Sequence, residues 1–137
     1  MNEKIIIKVG REYVDLDALH NFLSEQSYWS QGIAKERVET AINNSLCFSV
    51  FYENAMIGFA RVLTDFVTLG YLADVYILPE YRGRGYSKQL MEFIVNYPDL
   101  QSLRRFALRT RDAHGLYEQF GWKEITEVEK WMERTGS

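Results

Sequence analysis

The stretch Asp74-Val75-Tyr76-Ile77-Leu78-Pro79-Glu80-Tyr81-Arg82-Gly83-Arg84-Gly85-Tyr86-Ser87-Lys88 decides the reading of this chain. Its first half reads as the end of a strand that begins near Thr68. After Pro79 comes a basic turn with two glycines. The spacing of Leu90, Met91, Ile94 and Val95 then predicts a helix to about Tyr97. A strand, a glycine turn and a helix start in this order leave unpaired backbone N–H groups facing outward at the positive end of the helix dipole. Such a start is an anion site, most naturally for a phosphate group. Glycine lets the backbone approach that group closely, and Arg82, Arg84 and Lys88 add positive charge. The turn lacks the Gly-Lys-Ser/Thr of a nucleoside-triphosphatase loop. It also lacks the third glycine of the dinucleotide fingerprint, because Lys88 stands three after Gly85. Taken alone, it fits a plain strand-to-helix turn equally well.

Working upstream, Ser45 to Tyr52, Met56 to Leu63 and Thr68 to Leu78 form three strands too close together for helical crossovers, so they predict an antiparallel meander. In the first of them Leu46, Phe48, Val50 and Tyr52 alternate with Cys47, Ser49 and Phe51. Before them, Lys4 to Val9 reads as a strand. Asp15 caps a helix to about Gln26 with an apolar stripe of Leu16, Leu19, Phe22 and Leu23. A loop rich in aromatic and small residues, Ser27 to Gly32, precedes a second helix from about Lys35 to Asn43 that turns Val38 and Ile42 inward. Downstream, Arg104 to Thr110 is a strand, Asp112 to Phe120 a helix, and Gly121 its stop. One or two closing strands are expected from Trp122 to about Trp131.

The 137 residues suit one domain, 1–137. A chain of this length buries roughly two-thirds of its unfolded surface and needs no staple. The hydrophobic share of 47% excludes general disorder, and the net charge of −3 disfavours nucleic acid as the main partner. No run approaches the ~20 apolar residues of a membrane span, and the N-terminal apolar run is too short for a signal peptide. The single cysteine, Cys47, suits a reducing compartment and reads as a buried thiol. A cytoplasmic location is expected. His20 and His114 make no zinc spacing and read as structural or surface residues, so no metal is expected.

The quoted stretch resembles the GNAT superfamily of acyl-CoA-dependent N-acyltransferases. Their signature, Gln/Arg-x-x-Gly-x-Gly/Ala after a strand, is matched by Arg82, Gly85 and Ser87; Ser87 departs from Gly/Ala but is small. Downstream, Arg111 to Trp122 is similar to the family's Ala-x-x-x-Tyr-x-x-x-Gly-Phe helix, with Ala113, Tyr117 and Gly121 in place and Trp122 for Phe. Two ordered motifs with a strand between them are far more specific than either alone.

The resemblance implies an α/β fold with a central mixed, mostly antiparallel sheet flanked by about four helices. It implies acetyl-CoA as cofactor, with pantetheine beside Val75, Tyr76 and Ile77 and the pyrophosphate on the backbone from Gly83 through Arg84, Gly85, Tyr86 and Ser87 to Lys88. It implies transfer of acetyl to a primary amine of a small molecule or protein by direct attack, with the Ile77 N–H facing the developing oxyanion and Tyr117 as general acid. Some relatives carry a basic carboxylate early on the strand that here bears Arg105, so Asp74 becomes the local possibility for a base, with Glu25 and Asp65 as alternatives and a water relay equally open. Tyr28, Trp29 and Tyr71 are expected to line the acceptor site, where aromatic walls suit an apolar or cationic amine. A non-catalytic acyl-CoA-binding module of the same fold is the alternative. The chain is expected to be a monomer or a homodimer, the latter through its C-terminal tail.

Overall fold

The computed structural model describes residues 5–136. Its centre is a five-stranded sheet in the order β1-β2-β3-β4-β5: β1 Ile5–Val9, β2 Leu46–Tyr52, β3 Ala55–Thr64, β4 Leu69–Ile77 and β5 Arg105–Leu108. The first four strands pair antiparallel, and β5 joins β4 in parallel. The helices are α1 Leu16–Glu25, α2 Lys35–Asn43, α3 Tyr86–Val95 and α4 His114–Glu118. The expected meander, helix order and mixed sheet are therefore present. Lys4, the expected start of β1, lies outside the described residues.

The alternation in β2 has a use on both faces. Phe48 and Val50 enter one core cluster with Leu90, Met91 and Ile94 of α3. Cys47 enters the other, with Leu19, Phe22 and Leu23 of α1 and Val38 and Ile42 of α2. Helices thus cover both faces of the sheet, and Cys47 through Val50 are all buried. Each fully buried side chain of this size contributes roughly 1.5–3 kcal/mol. Asp15 caps α1 as read, accepting the Ala18 N–H at 3.1 Å. Gly121, with φ 103°, ends α4, and the Trp122 N–H closes back on the Tyr117 carbonyl at 3.2 Å.

The closing strands are absent. Among the described residues beyond Trp122 no strand forms, only a short 3-10 turn at Val128–Lys130, and every residue from Lys123 to Gly136 is exposed. Lys123, Glu124, Glu127, Glu129 and Lys130 interrupt the apolar positions, so the segment has no continuous face to bury. Trp131 does lie over the Arg105 guanidinium, 6.0 Å from its ring centre. Among the described residues no helix is long and apolar enough to cross a membrane.

Candidate active site

The site begins with one extra residue in β4. Phe59 faces Tyr76 and Arg61 faces Ala73, so Ala60 alone stands opposite Asp74 and Val75. This is a β-bulge, and Asp74 takes the left-handed φ of 54° that Asp tolerates better than most residues. The bulge reverses the phase of the strand. Leu72 enters the α3 core, Tyr76 enters the α1–α2 core stacked on Phe22 at 3.8 Å, and Ile77 returns to the α3 side.

β4 and β5 separate at the same place, since their pairing stops at Leu72 and Leu108. The Leu78 N–H still donates to the Ile57 carbonyl of β3 at 2.8 Å. Antiparallel alternation therefore turns the backbone of Ile77 away from β3, into the gap on the β5 side. Arg82 confirms the direction, donating its Nε–H to the Ile77 carbonyl at 2.8 Å. Val75 shares this orientation, whereas the backbone groups of Tyr76 face Phe59. Burial pushes the Tyr76 phenol far above its ordinary range, as for a core residue.

A cleft of about 700 Å³ fills this gap, and Tyr28, Trp29, Tyr71, Asp74, Val75 and Tyr117 all line it. The loop carrying Tyr28 and Trp29 is pinned by Ser27, whose buried hydroxyl donates to the Leu23 carbonyl at 2.7 Å and accepts the Ser30 N–H at 3.1 Å. Trp29 donates its indole N–H to Asp74 Oδ1 at 2.8 Å. Arg61 donates to Asp74 Oδ2 at 2.7 Å and to the Ser45 hydroxyl at 3.0 Å. Both ends of this ion pair are nearly buried, with side-chain exposures of 16% and 10%. Asp74 is thus the arginine-paired carboxylate that a strand end often holds, and each oxygen already accepts one donor. Across the mouth, the Arg111 guanidinium lies 3.7 Å from the Tyr28 ring centre, and the Arg111 N–H donates to the Tyr28 hydroxyl at 3.3 Å. Tyr117 is 8% exposed, and burial, with a smaller effect of the Tyr28 phenol, pushes its hydroxyl up to about 12.

The glycine turn lies at the far end of β4. Gly83 and Gly85 take φ of 80° and 84°, and a Cβ at either would meet only open space. Backbone conformation, not crowding, therefore calls for glycine here. Gly85 is the N-cap of the ten-residue α3, with no side-chain cap and no acid in the first turn. The amides of Tyr86, Ser87 and Lys88 are left for an outside acceptor. Arg82 and Lys88 are exposed beside them, and Arg84 lies over the Tyr81 ring at 5.2 Å. The Tyr86 side chain belongs to the core, so only its backbone can serve a ligand. An uncapped helix start ringed by exposed cations fits a pyrophosphate.

The other sequence-level possibilities lie elsewhere. Asp65 is a turn anchor: it accepts the N–H groups of Val67 and Thr68 and the Thr68 hydroxyl at 2.6–2.9 Å, which holds its carboxyl far below the usual range. Glu25 ends α1 and is exposed. Arg105 is exposed at the start of β5. His20 donates to the Ile33 carbonyl at 3.0 Å, and His114 is exposed. Cys47 is fully buried, which pushes its thiol up to about 11 and makes it a poor nucleophile. Among the described residues no three His, Cys, Asp or Glu side chains gather as a metal site would require. Arg61, Arg109 and Arg111 also line the cleft and were not singled out from sequence.

Comparison with known proteins agrees with this geometry. The sequence profile of the acetyltransferase (GNAT) family matches residues 16–122, and the chain belongs to that family. A GNAT-family protein of Xanthomonas campestris pv. campestris superposes with a TM-score of 0.93 at 42% identity, covering 96% of this chain and 93% of that one. A candidate acetyltransferase of Gibberella zeae is 29% identical over 148 residues, 90% of this chain and 82% of its own length. An acetyl-CoA complex from Clostridium acetobutylicum shares the fold, with a TM-score of 0.70 at 18% identity and 96% of each chain covered.

Proposed function

We propose that the chain is an acetyl-CoA-dependent N-acetyltransferase that transfers acetyl to a primary amine by direct attack within a ternary complex. The observation that carries this reading is the split of β4 from β5 at the bulge, which turns the Ile77 backbone into the gap and leaves a cleft lined by Val75 and Tyr117. Acetyl-CoA, when bound, supplies an activated thioester. The α3 N-terminus would hold its pyrophosphate, and the backbone edge of Val75 would pair with its pantetheine. The Ile77 N–H is a fixed donor for negative charge developing on the carbonyl oxygen. Tyr117, protonated at neutral pH, donates to the departing thiolate. Asp74 has lone pairs left beyond those taken by Trp29 and Arg61, so it can orient an incoming ammonium. Its pairing with Arg61 and Trp29 favours a water relay to solvent, over Asp74 itself, for removal of the proton.

The test has two parts. Saturating acetyl-CoA, at about 100 times its dissociation constant, should stabilise the fold by about 2.7 kcal/mol, while ATP and NAD should not. Thiol release from acetyl-CoA should then depend on added amine. Stabilisation without amine-dependent release across a broad amine panel would favour a non-catalytic acyl-CoA-binding module of the same fold.

A further inference from the structure

Three arginines line the cleft, and two of them are engaged. Arg61 is neutralised by Asp74 at 2.7 Å. Arg111 is stacked on Tyr28 and lies 4.0 Å from Asp112. Arg109 is exposed, and among the described residues it forms no ion pair. It follows Leu108, the last β5 residue paired with β4, and so stands at the root of the split. Beyond Leu72, β4 runs five more residues, ~16 Å, before the turn to α3 begins. Arg109 is therefore remote from the helix start that fits a pyrophosphate, and its charge is not needed there. What remains is an exposed guanidinium among the residues that line the cleft, together with Tyr71 and the Asp74 carboxylate of β4.

We infer that Arg109 binds a carboxylate of the acceptor, and that the substrate is a small amino-acid-like amine carrying both groups. The inference rests on the acetyl-transfer reading above. Asp74, though paired with Arg61, keeps lone pairs that accept from the ammonium, and Arg109 donates to the carboxylate, so the two ends of one molecule meet an acceptor and a cationic donor. The planar fork matches a carboxylate with two parallel N–H donors.

Matched amines test this: lysine against cadaverine, ornithine against putrescine, phenylalanine against phenethylamine, and O-phosphoethanolamine against ethanolamine. Thiol release from acetyl-CoA is followed for each. At least one carboxylated member should exceed its partner in kcat/KM by about tenfold, the usual worth of a charge-assisted pair, mainly through KM. Arg109→Ala should lower that ratio by about the same factor, and Arg109→Lys, which keeps the charge but not the fork, should retain part of it. A general defect would lower both members alike and leave the ratio where it was. Equal or better use of every decarboxylated partner, a preference for the phosphorylated amine alone, or a ratio untouched by Arg109→Ala would each overturn the inference while leaving acetyl transfer standing. Stabilisation by acetyl-CoA with no amine in any pair releasing thiol would overturn both.

Discussion

Tyr117 keeps its proton well past the pH at which an acceptor amine is neutral. Its phenol is pushed from 10.0 up to about 12, chiefly by burial. The rate should therefore rise with pH as the acceptor ammonium deprotonates, with no falling limb from Tyr117 below about pH 11. Tyr117→Phe should lower kcat on the order of a hundredfold while barely changing the KM for acetyl-CoA. Steady-state kinetics on the folded variant checks both. Asp74 carries a structural burden as well. Asp74→Ala leaves Arg61 buried without its partner, which should cost about 3 kcal/mol and lower the melting midpoint by roughly ten degrees. Calorimetry would read it, and an unchanged midpoint would mean that the ion pair is dispensable. Tyr117, Asp74, Tyr28, Trp29 and Tyr71 were legible in the sequence as residues to watch, and one cleft gathers them. Arg61 was the missed signal: a lone charge inside the otherwise apolar run from Ala55 to Leu63 needs a partner.

Among the elements, α3 was the most legible, because a glycine turn and a helical stripe are both local features. The bulge in β4 was not legible. It is a mismatch between two strands, and neither strand alone records it. The tail was misread for a related reason: Ile125, Val128 and Trp131 suggest strand, but a strand needs a partner edge and a buried face, and this segment has neither. At α3 the prediction concerns Gly85. Gly85→Glu forces a side chain into a left-handed backbone at about 1 kcal/mol and places a carboxylate over the uncapped amides. The variant should fold, with a modestly lower midpoint, and should lose the added stability that acetyl-CoA confers. Thermal unfolding with and without ligand measures this, and a preserved ligand shift would exclude the turn as the phosphate site.

The whole molecule is a sheet clad on both faces, with one core under α1 and α2 and another under α3. Among the described residues none after Trp122 joins either core. Truncation after Trp122 should accordingly leave the melting midpoint within about two degrees, as for surface changes worth under ~0.5 kcal/mol. A larger loss would reveal that the tail is held by something beyond these contacts. The cladding also explains why the bulge matters beyond its own neighbourhood. Each strand residue belongs to one face or the other by parity, and β4 switches parity at Asp74 and Val75. Deleting a single codon there would let the strand pair evenly with β3, keeping Tyr76 opposite Phe59 and Ile77 on the α3 side, but without the bulge and the left-handed turn at Asp74. The bulge is thus encoded by the length of the chain more than by any one letter in it. Substitutions across this strand can be graded in their effects, whereas the loss of one residue removes the bulge as a whole.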